Sequence, residues 1–216
     1  MKKHAAPNWI AIIIALVPAA YLALVWNDLP DVVPVHFGSD FKPDRYGKKE
    51  EMLIVTAITT LVAIGVYFLL NNLHRIDPKR KGTGTPSSFN KLAMGLVVFI
   101  AAMTVIIIAS AKGSLNFQKL VFPVMGLFFA FIGNYMNNIK PNYFAGIRLP
   151  WTLSSDENWR RTHLLAGKLW FGGGIIIALL GVILPISALL PAFFTIMVIM
   201  VIIPVVFSYR LFKQQQ

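Results

Sequence analysis

The side chains best suited to chemistry or recognition lie in two polar segments that interrupt an otherwise apolar chain. In the first, residues 27–51, His36, Asp40 and Asp44 supply nitrogen and oxygen donors, but their spacing matches no compact ligand motif, so we expect no metal site. Its prolines and glycines predict turns rather than helices. Several of its side chains would suit recognition of a cationic or amphipathic peptide: His36, Asp44, Arg45, Tyr46 and Lys48. The alternative is a solvated cap in which His36 bonds to backbone.

The second polar segment, residues 133–167, is dense in aromatic and basic side chains. Pro141, Gly146 and Pro150 exclude a long helix from its first half. Arginine and tryptophan are favoured anchors of protein contacts, so Arg148 and Trp151 indicate a docking surface for a partner. An alternative stays open, in which Arg148 binds lipid phosphate while two indoles anchor at headgroup level: Trp151 and Trp159.

A helix start follows Pro150. Ser154 with Glu157 three residues later fits a capping box, and Asp156 places a negative charge near the helix N-terminus. The pattern predicts a short amphipathic helix near 155–166 that lies along the membrane surface. Three residues share one stripe of it at helical spacing: Trp159, His163 and Ala166.

Catalysis is not indicated by these residues. Ser154 or Ser155 would reach His163 only through a tertiary turn that the capping role of the serines opposes. HxxxH and CxxC motifs and a glycine-rich phosphate loop are absent from the sequence. We therefore expect a binding protein without a cofactor, and His163 is more simply a packed neighbour than a pH switch.

The elements that position these segments are membrane spans. Hydrophobic residues make up 56% of the 216 residues, charged residues only 13%, and the mean hydropathy is +0.66. One soluble core of this size could not hide so much apolar surface, so lipid must solvate much of it. The chain has no cysteine, which excludes disulfides and thiolate metal sites.

Gaps without Asp, Glu, Lys or Arg locate the spans. Four gaps of 20 to 24 residues each cross a hydrocarbon core of about 30 Å once: 4–27, 52–73, 92–111 and 120–139. A fifth gap, 169–209, holds 41 residues and should cross twice, with a turn near Pro185 to Pro191. The fold class is therefore all-α, a polytopic membrane protein with six transmembrane helices.

The basic residues orient the spans. Loops on one side carry 14 of the 20 lysines and arginines, which predicts that this side and both termini are cytoplasmic. The net charge of +11 is then mostly the positive-inside signal, and no direct nucleic-acid partner is needed to explain it. A signal peptide at the N-terminus is disfavoured because the first apolar run is long and lacks a small-residue cleavage site.

Three parts are predicted along the chain. Residues 1–74 form an N-terminal membrane domain with an outer loop at 27–51, residues 75–91 form a cytoplasmic linker, and residues 92–216 form a second membrane domain with a cytoplasmic loop at 137–168. Because the spans lack charges, a charge-coupled pump is disfavoured. Gly172, Gly173 and Gly174 fit either a broken-helix substrate site or close helix packing.

The second polar segment resembles the signature of the SdpI family, bacterial membrane proteins that confer immunity to a secreted toxic peptide and take part in signalling. The matching residues are Gly133, Asn134, Asn142, Tyr143, Gly146, Arg148, Pro150, Trp151, Thr152, Leu153, Trp159, Thr162, His163 and Gly167. The outer loop is similar to an uncharacterised domain that precedes this region in many relatives, through Pro34, His36, Phe37, Pro43, Asp44, Tyr46, Gly47 and Lys48. Phe41 departs from that pattern where relatives commonly have glycine, and Leu149 where they often have threonine.

The resemblance implies a multi-pass protein of the bacterial cytoplasmic membrane that neutralises a toxic peptide and, in some members, holds a cytoplasmic repressor at the bilayer. The cytoplasmic docking residues it suggests are Asn142, Tyr143, Arg148, Trp151, Trp159, Thr162 and His163. Two alternatives remain: a transporter or flippase with a path along Asn134, Asn137 and the three glycines, and a membrane enzyme of envelope metabolism acting through His36 or His163.

Overall fold

A computed structural model describes residues 8–78 and 87–214. Six helices in this part are long and apolar enough to cross a membrane, which confirms the six predicted spans. The elements in chain order are α1 (Asn8–Val25), a 3₁₀ turn (Trp26–Asp28), β1 (Val32–Phe37), β2 (Pro43–Lys48), α2 (Glu51–Ile76), α3 (Ser87–Ala111), α4 (Phe117–Met136), α5 (Pro150–Ser154), α6 (Asp156–Ile183) and α7 (Ile186–Gln214). The end that carries the strands is called the outer end, after the predicted orientation; the other is the inner end.

The spans form two packed groups joined through α3. Alanines of α1 and α2, Ala15 and Ala63, pack with Ala93 and Val97 of α3. On its other side α3 meets α4, where Phe99 and Phe128 stack with ring centroids 4.0 Å apart. The predicted division at 75–91 stays a prediction, and residues 79–86 of that linker lie outside the described residues. Lys2 and Lys3, two of the 14 basic residues used to orient the spans, also lie outside them.

The contact between α4 and α6 is unusually close. A Cβ atom added at Gly174 of α6 would overlap backbone atoms of Ala130 and Gly126 in α4, and one at Gly133 would overlap the backbone of Phe171. Small residues let helix backbones approach in lipid, where van der Waals contact replaces the hydrophobic driving force. Because α6 runs unbroken through the three glycines, the structure favours the close-packing interpretation over a broken helix.

The outer loop contains more regular structure than the predicted turns. β1 and β2 form an antiparallel hairpin, which the β-branched residues of β1 favour. In its turn Phe41 has a φ of +59°, a conformation that favours glycine. The Phe41 ring packs edge-on against Phe122 of α4 at 4.9 Å, and Phe37 stacks on Phe117 at 4.3 Å. These contacts fix the hairpin tip to the outer end of α4.

The helix predicted near 155–166 is not a separate element. It starts as expected, but its N-cap is Ser155, which accepts a hydrogen bond from the Asn158 amide, rather than Ser154. No proline follows before Pro185, so the helix continues to Ile183 as the fifth span. The turn between the last two spans is also shorter than predicted, since only residues 184–185 separate α6 from α7 and Pro191 lies inside α7.

The glycine contact generates a prediction with a control in the same helix. Gly174→Ala should lower stability by about 1–3 kcal/mol, because the new methyl group has no space against α4. Gly172→Ala should be neutral or slightly stabilising, since no atom lies within 4 Å of the added Cβ. Thermal unfolding of the purified variants in one detergent measures the difference, and equal melting temperatures would contradict the close contact.

Candidate functional site

The inner segment between α4 and α6 is a folded loop held by inward-pointing polar side chains. Asn142 is buried, and its side chain bonds four backbone groups at 2.7 to 2.9 Å. Its amide nitrogen donates to the carbonyls of Lys140 and Ala145, and its oxygen accepts from the amides of Phe144 and Ala145. One asparagine thereby fixes the turn that precedes Gly146.

His163 joins this loop to α6. The ring is only 1% exposed and stacks on Trp159 with centroids 4.1 Å apart. Its Nε2 accepts the Ile147 amide at 3.0 Å, so Nε2 carries no proton, and its Nδ1 donates to the Trp159 carbonyl at 2.8 Å. Gly146 passes close to the ring with a φ of +107°. His163 is therefore a neutral, packed hydrogen-bonding group, as expected from its setting in the sequence.

Trp159 and Thr152 close the loop on either side of His163. The Trp159 indole N–H donates to the Ile139 carbonyl at 2.7 Å. The Thr152 hydroxyl donates to the Ile147 carbonyl at 2.8 Å and accepts the Leu149 amide at 2.9 Å, which caps α5. Both side chains are buried, so Trp159 does not anchor at lipid headgroups as the alternative interpretation required.

The end of α7 completes this structure through Ser208. Its hydroxyl accepts the Trp151 indole N–H at 2.9 Å, and its carbonyl accepts the Asn158 side chain at 2.9 Å. The Asn158 side chain also accepts the Thr162 hydroxyl at 3.0 Å. Sequence reasoning missed Asn158 and Ser208. A polar residue inside an apolar span was the available signal for Ser208.

A third missed residue, Asp77, joins the loop to the N-terminal helices. Asp77 follows α2 and is 1% exposed, and its carboxylate accepts the Tyr143 amide at 3.2 Å. The inner loop is thus held by both groups of spans.

The predicted docking residues separate into two sets by exposure. Four are buried and act inside the loop: Asn142, Trp159, Thr162 and His163. Trp151 is partly buried against α7, with the Tyr209 ring 5.3 Å away. Tyr143 and Arg148 are exposed, and the Arg148 guanidinium donates to the Tyr143 carbonyl. Together with exposed Phe144, these two residues form the part of the loop that is open to a partner, here called the inner patch.

The predicted outer residues all lie on the exposed hairpin. His36 Nδ1 is 2.6 Å from the Asp44 carboxylate, so this histidine bonds to a side chain rather than to backbone. Tyr46 and Lys48 follow on β2, both exposed. Within the described residues no cluster of three or more His, Asp or Glu side chains is arranged to hold a metal.

An ion pair stabilises the outer end beside the hairpin. Lys112, after α3, donates to the Asp28 carboxylate. This hydrogen bond raises the pKa of Lys112 above its usual value.

The packing of Gly146 against His163 can be tested with Gly113, a second glycine with a positive φ, as the control. A residue other than glycine pays about 1–2 kcal/mol of backbone strain at a left-handed position. Gly146→Ala should destabilise the inner loop by more than this, because the methyl group would also overlap His163. Gly113→Ala, at a φ of +80° with no atom within 4 Å of the added Cβ, should cost the strain alone. Hydrogen exchange of the Ile147 amide reports the loop directly. Equal protection of that amide in the two variants would contradict the packing.

Comparisons with known proteins agree with both resemblances. The SdpI/YfhL protein family matches residues 138–208, which contain the inner loop, α5, α6 and most of α7. The domain of unknown function DUF1648 matches residues 13–60, which contain most of α1, the hairpin and the start of α2. No solved structure matches the chain significantly.

Two relatives were found. The immunity protein SdpI of Bacillus subtilis is 25% identical over 180 residues, which cover 83% of this chain and 82% of that protein. An uncharacterised protein of Archaeoglobus fulgidus is 44% identical over 41 residues, 19% of this chain and 22% of that protein. Both predicted segments are matched and six spans are observed, so the chain resembles the SdpI family and has the layout of a multi-pass protein of the bacterial inner membrane.

Proposed function

We propose that this chain is a membrane immunity protein that neutralises a secreted toxic peptide by binding it, without catalysis. The observation that carries the proposal is the similarity to the immunity protein SdpI, which extends over 83% of the chain. The peptide would meet the outer hairpin first. There His36, Asp44, Tyr46 and Lys48 present charge and an aromatic ring to solvent on a fixed scaffold.

Signalling through a cytoplasmic repressor is the finer part of the proposal. The inner patch, Tyr143, Phe144 and Arg148, combines exposed aromatic rings with a guanidinium, the side chains most often found at the centres of protein contacts. Asn142 and Asp77 hold the backbone beneath the patch, so little conformational entropy would be lost on docking. These features support a protein partner at this end of the bundle.

The first test is survival of a sensitive bacterium against a panel of secreted membrane-active peptides. Expression of the unaltered chain should protect selectively against one or a few of them. Arg148→Ala, at equal membrane levels, should protect equally well, because the inner patch is remote from the arriving peptide. Failure of the unaltered chain to protect against any peptide would contradict immunity, and vesicle assays of peptide or lipid movement would then test transport.

The same variant tests docking. Arg148→Ala should weaken retention of a cytoplasmic protein by about 1–3 kcal/mol, which a quantitative pulldown detects as a loss of bound partner. Arg210→Ala is the matched control, since it removes the same charge from an exposed position of α7. Identical pulldowns from the unaltered chain and both variants would rule out Arg148 as an anchor.

If acidic side chains at the outer end attract a cationic peptide, capture of that peptide should depend on the salt concentration. Residues 27–51 contain six acidic side chains against four basic ones, and most of the acidic side chains are exposed. Capture of a cationic peptide by the chain in nanodiscs should therefore weaken as NaCl rises from 0.05 to about 0.5 M, because the Debye length falls from about 14 Å to about 4 Å. An uncharged lipid nanodisc without protein is the control, and a salt-independent affinity would refute this attraction.

A further inference from the structure

A groove lies between α1 and α2. It has a volume of about 470 Å³ and an almost entirely apolar lining that includes Leu16, Ala19, Ala23, Leu53, Thr56 and Ala57. Leu53 lies near the outer start of α2 and Ala23 near the outer end of α1, so the groove runs along the outer half of the two helices. Both walls lie almost wholly in the segment matched by the domain of unknown function.

α1 and α2 share a buried cluster at the outer end, which includes Leu22, Val25 and Met52, and they pack again in their inner halves. There Ala11 and Ala15 of α1 pack with Ala63 and Tyr67 of α2. The Thr60 hydroxyl donates to the Ala15 carbonyl at 3.2 Å. Beyond it the walls expose alanines at four-residue spacing on α1, a pattern that admits another helix backbone at close range.

Thr56, one turn outward from Thr60, supplies an unused hydrogen-bonding group in the groove wall. It is 3% exposed, and among the described residues its hydroxyl is the one buried side-chain group without a partner. The neighbouring Thr59 and Thr60 hydroxyls both bond to backbone carbonyls. A hydroxyl without a partner is costly in an apolar setting. An acyl chain offers it no acceptor, whereas a peptide backbone does.

Two ion pairs lie at the outer mouth of the groove, and in each the acidic side chain is more exposed than the basic one. In the pair formed by Asp31 and Lys49, the aspartate side chain is 95% exposed and the lysine 23%, with its ammonium over the Trp26 ring. In the pair formed by Asp28 and Lys112 the exposures are 57% and 30%. Exposed Lys48 and Glu50 offset one another. Within these two ion pairs, a ligand arriving from outside therefore meets the carboxylate before the ammonium.

We propose that the groove between α1 and α2 binds the apolar segment of a cationic membrane-active peptide, with the carboxylates at its mouth pairing the basic residues of that peptide. The inference rests on the proposed immunity function and gives it a binding site within the outer leaflet. The hairpin beside the groove fixes the geometry of the mouth, because its tip is packed on α4.

Two substitutions test the site in the survival assay, with the peptide against which the unaltered chain protects as the probe. Ala57→Phe fills the groove from an exposed wall position and should reduce protection about tenfold or more. Ala20→Phe adds the same ring to an exposed position of α1 outside the groove and should protect as the unaltered chain does. Thr56→Val keeps the side-chain shape and removes the unpartnered hydroxyl, so it should lower protection severalfold without lowering the melting temperature.

Each outcome is decisive. Full protection by both Ala57→Phe and Thr56→Val would overturn the groove site while immunity stands, and absence of protection by the unaltered chain would overturn immunity and the site together. A photoreactive phenylalanine analogue replacing Leu53, an exposed and already large lining side chain, identifies the occupant in nanodiscs of phosphatidylethanolamine and phosphatidylglycerol. Cross-linking to the probe peptide supports the proposal. Cross-linking to phospholipid alone, with the peptide in excess, would assign the groove to an acyl chain and overturn it.

Discussion

The backbone contact between α4 and α6 is the interaction on which the inner end of the molecule depends. Lipid tails are as apolar as the side chains that face them, so the spans gain little by hiding hydrophobic surface from one another. Glycines let α4 and α6 approach until their backbones touch, and Gly133 meets Gly167 directly beneath the inner loop. This contact sets the distance between the two ends of the loop. The loop can then fold compactly although lipid surrounds the helices that carry it.

Within that frame, the loop is built by polar groups that turn inward. Asn142, Thr152 and His163 each satisfy backbone groups that would otherwise be buried without partners. Because these bonds are short and mutually dependent, the loop should behave as one rigid unit rather than as a flexible connection. The few side chains left on its surface are consequently held in fixed positions, as a recognition surface requires. The outer hairpin is rigid for a different reason, since aromatic packing by Phe37 and Phe41 holds it to the bundle.

The sequence predicted the layout of the molecule better than its contacts. Spans were readable because the absence of charge over about 20 residues has one physical meaning in a membrane protein. The hairpin was not, since Pro34 and Pro43 are poor strand residues and the pairing depends on packing against α4. The surroundings of Trp159 could not be predicted either. A stripe of residues at helical spacing is the same whether lipid, a partner protein or a loop covers it. Phe41 departs from the family pattern at a position where relatives commonly have glycine. Its backbone adopts the left-handed conformation that favours glycine.

The bonds from Ser208 to Trp151 and Asn158 have a consequence for how the protein is made. They join residues 57 and 50 positions apart, so the inner loop receives its final partners only from the last span. A chain emerges from the ribosome N-terminus first at about 5–20 residues per second, so several seconds separate synthesis of the loop from that of Ser208. During that interval the Trp151 indole and the Asn158 amide lack these acceptors. Completion of the loop therefore coincides with insertion of α7, and a truncated chain would display an unfinished surface to the quality-control machinery of the membrane.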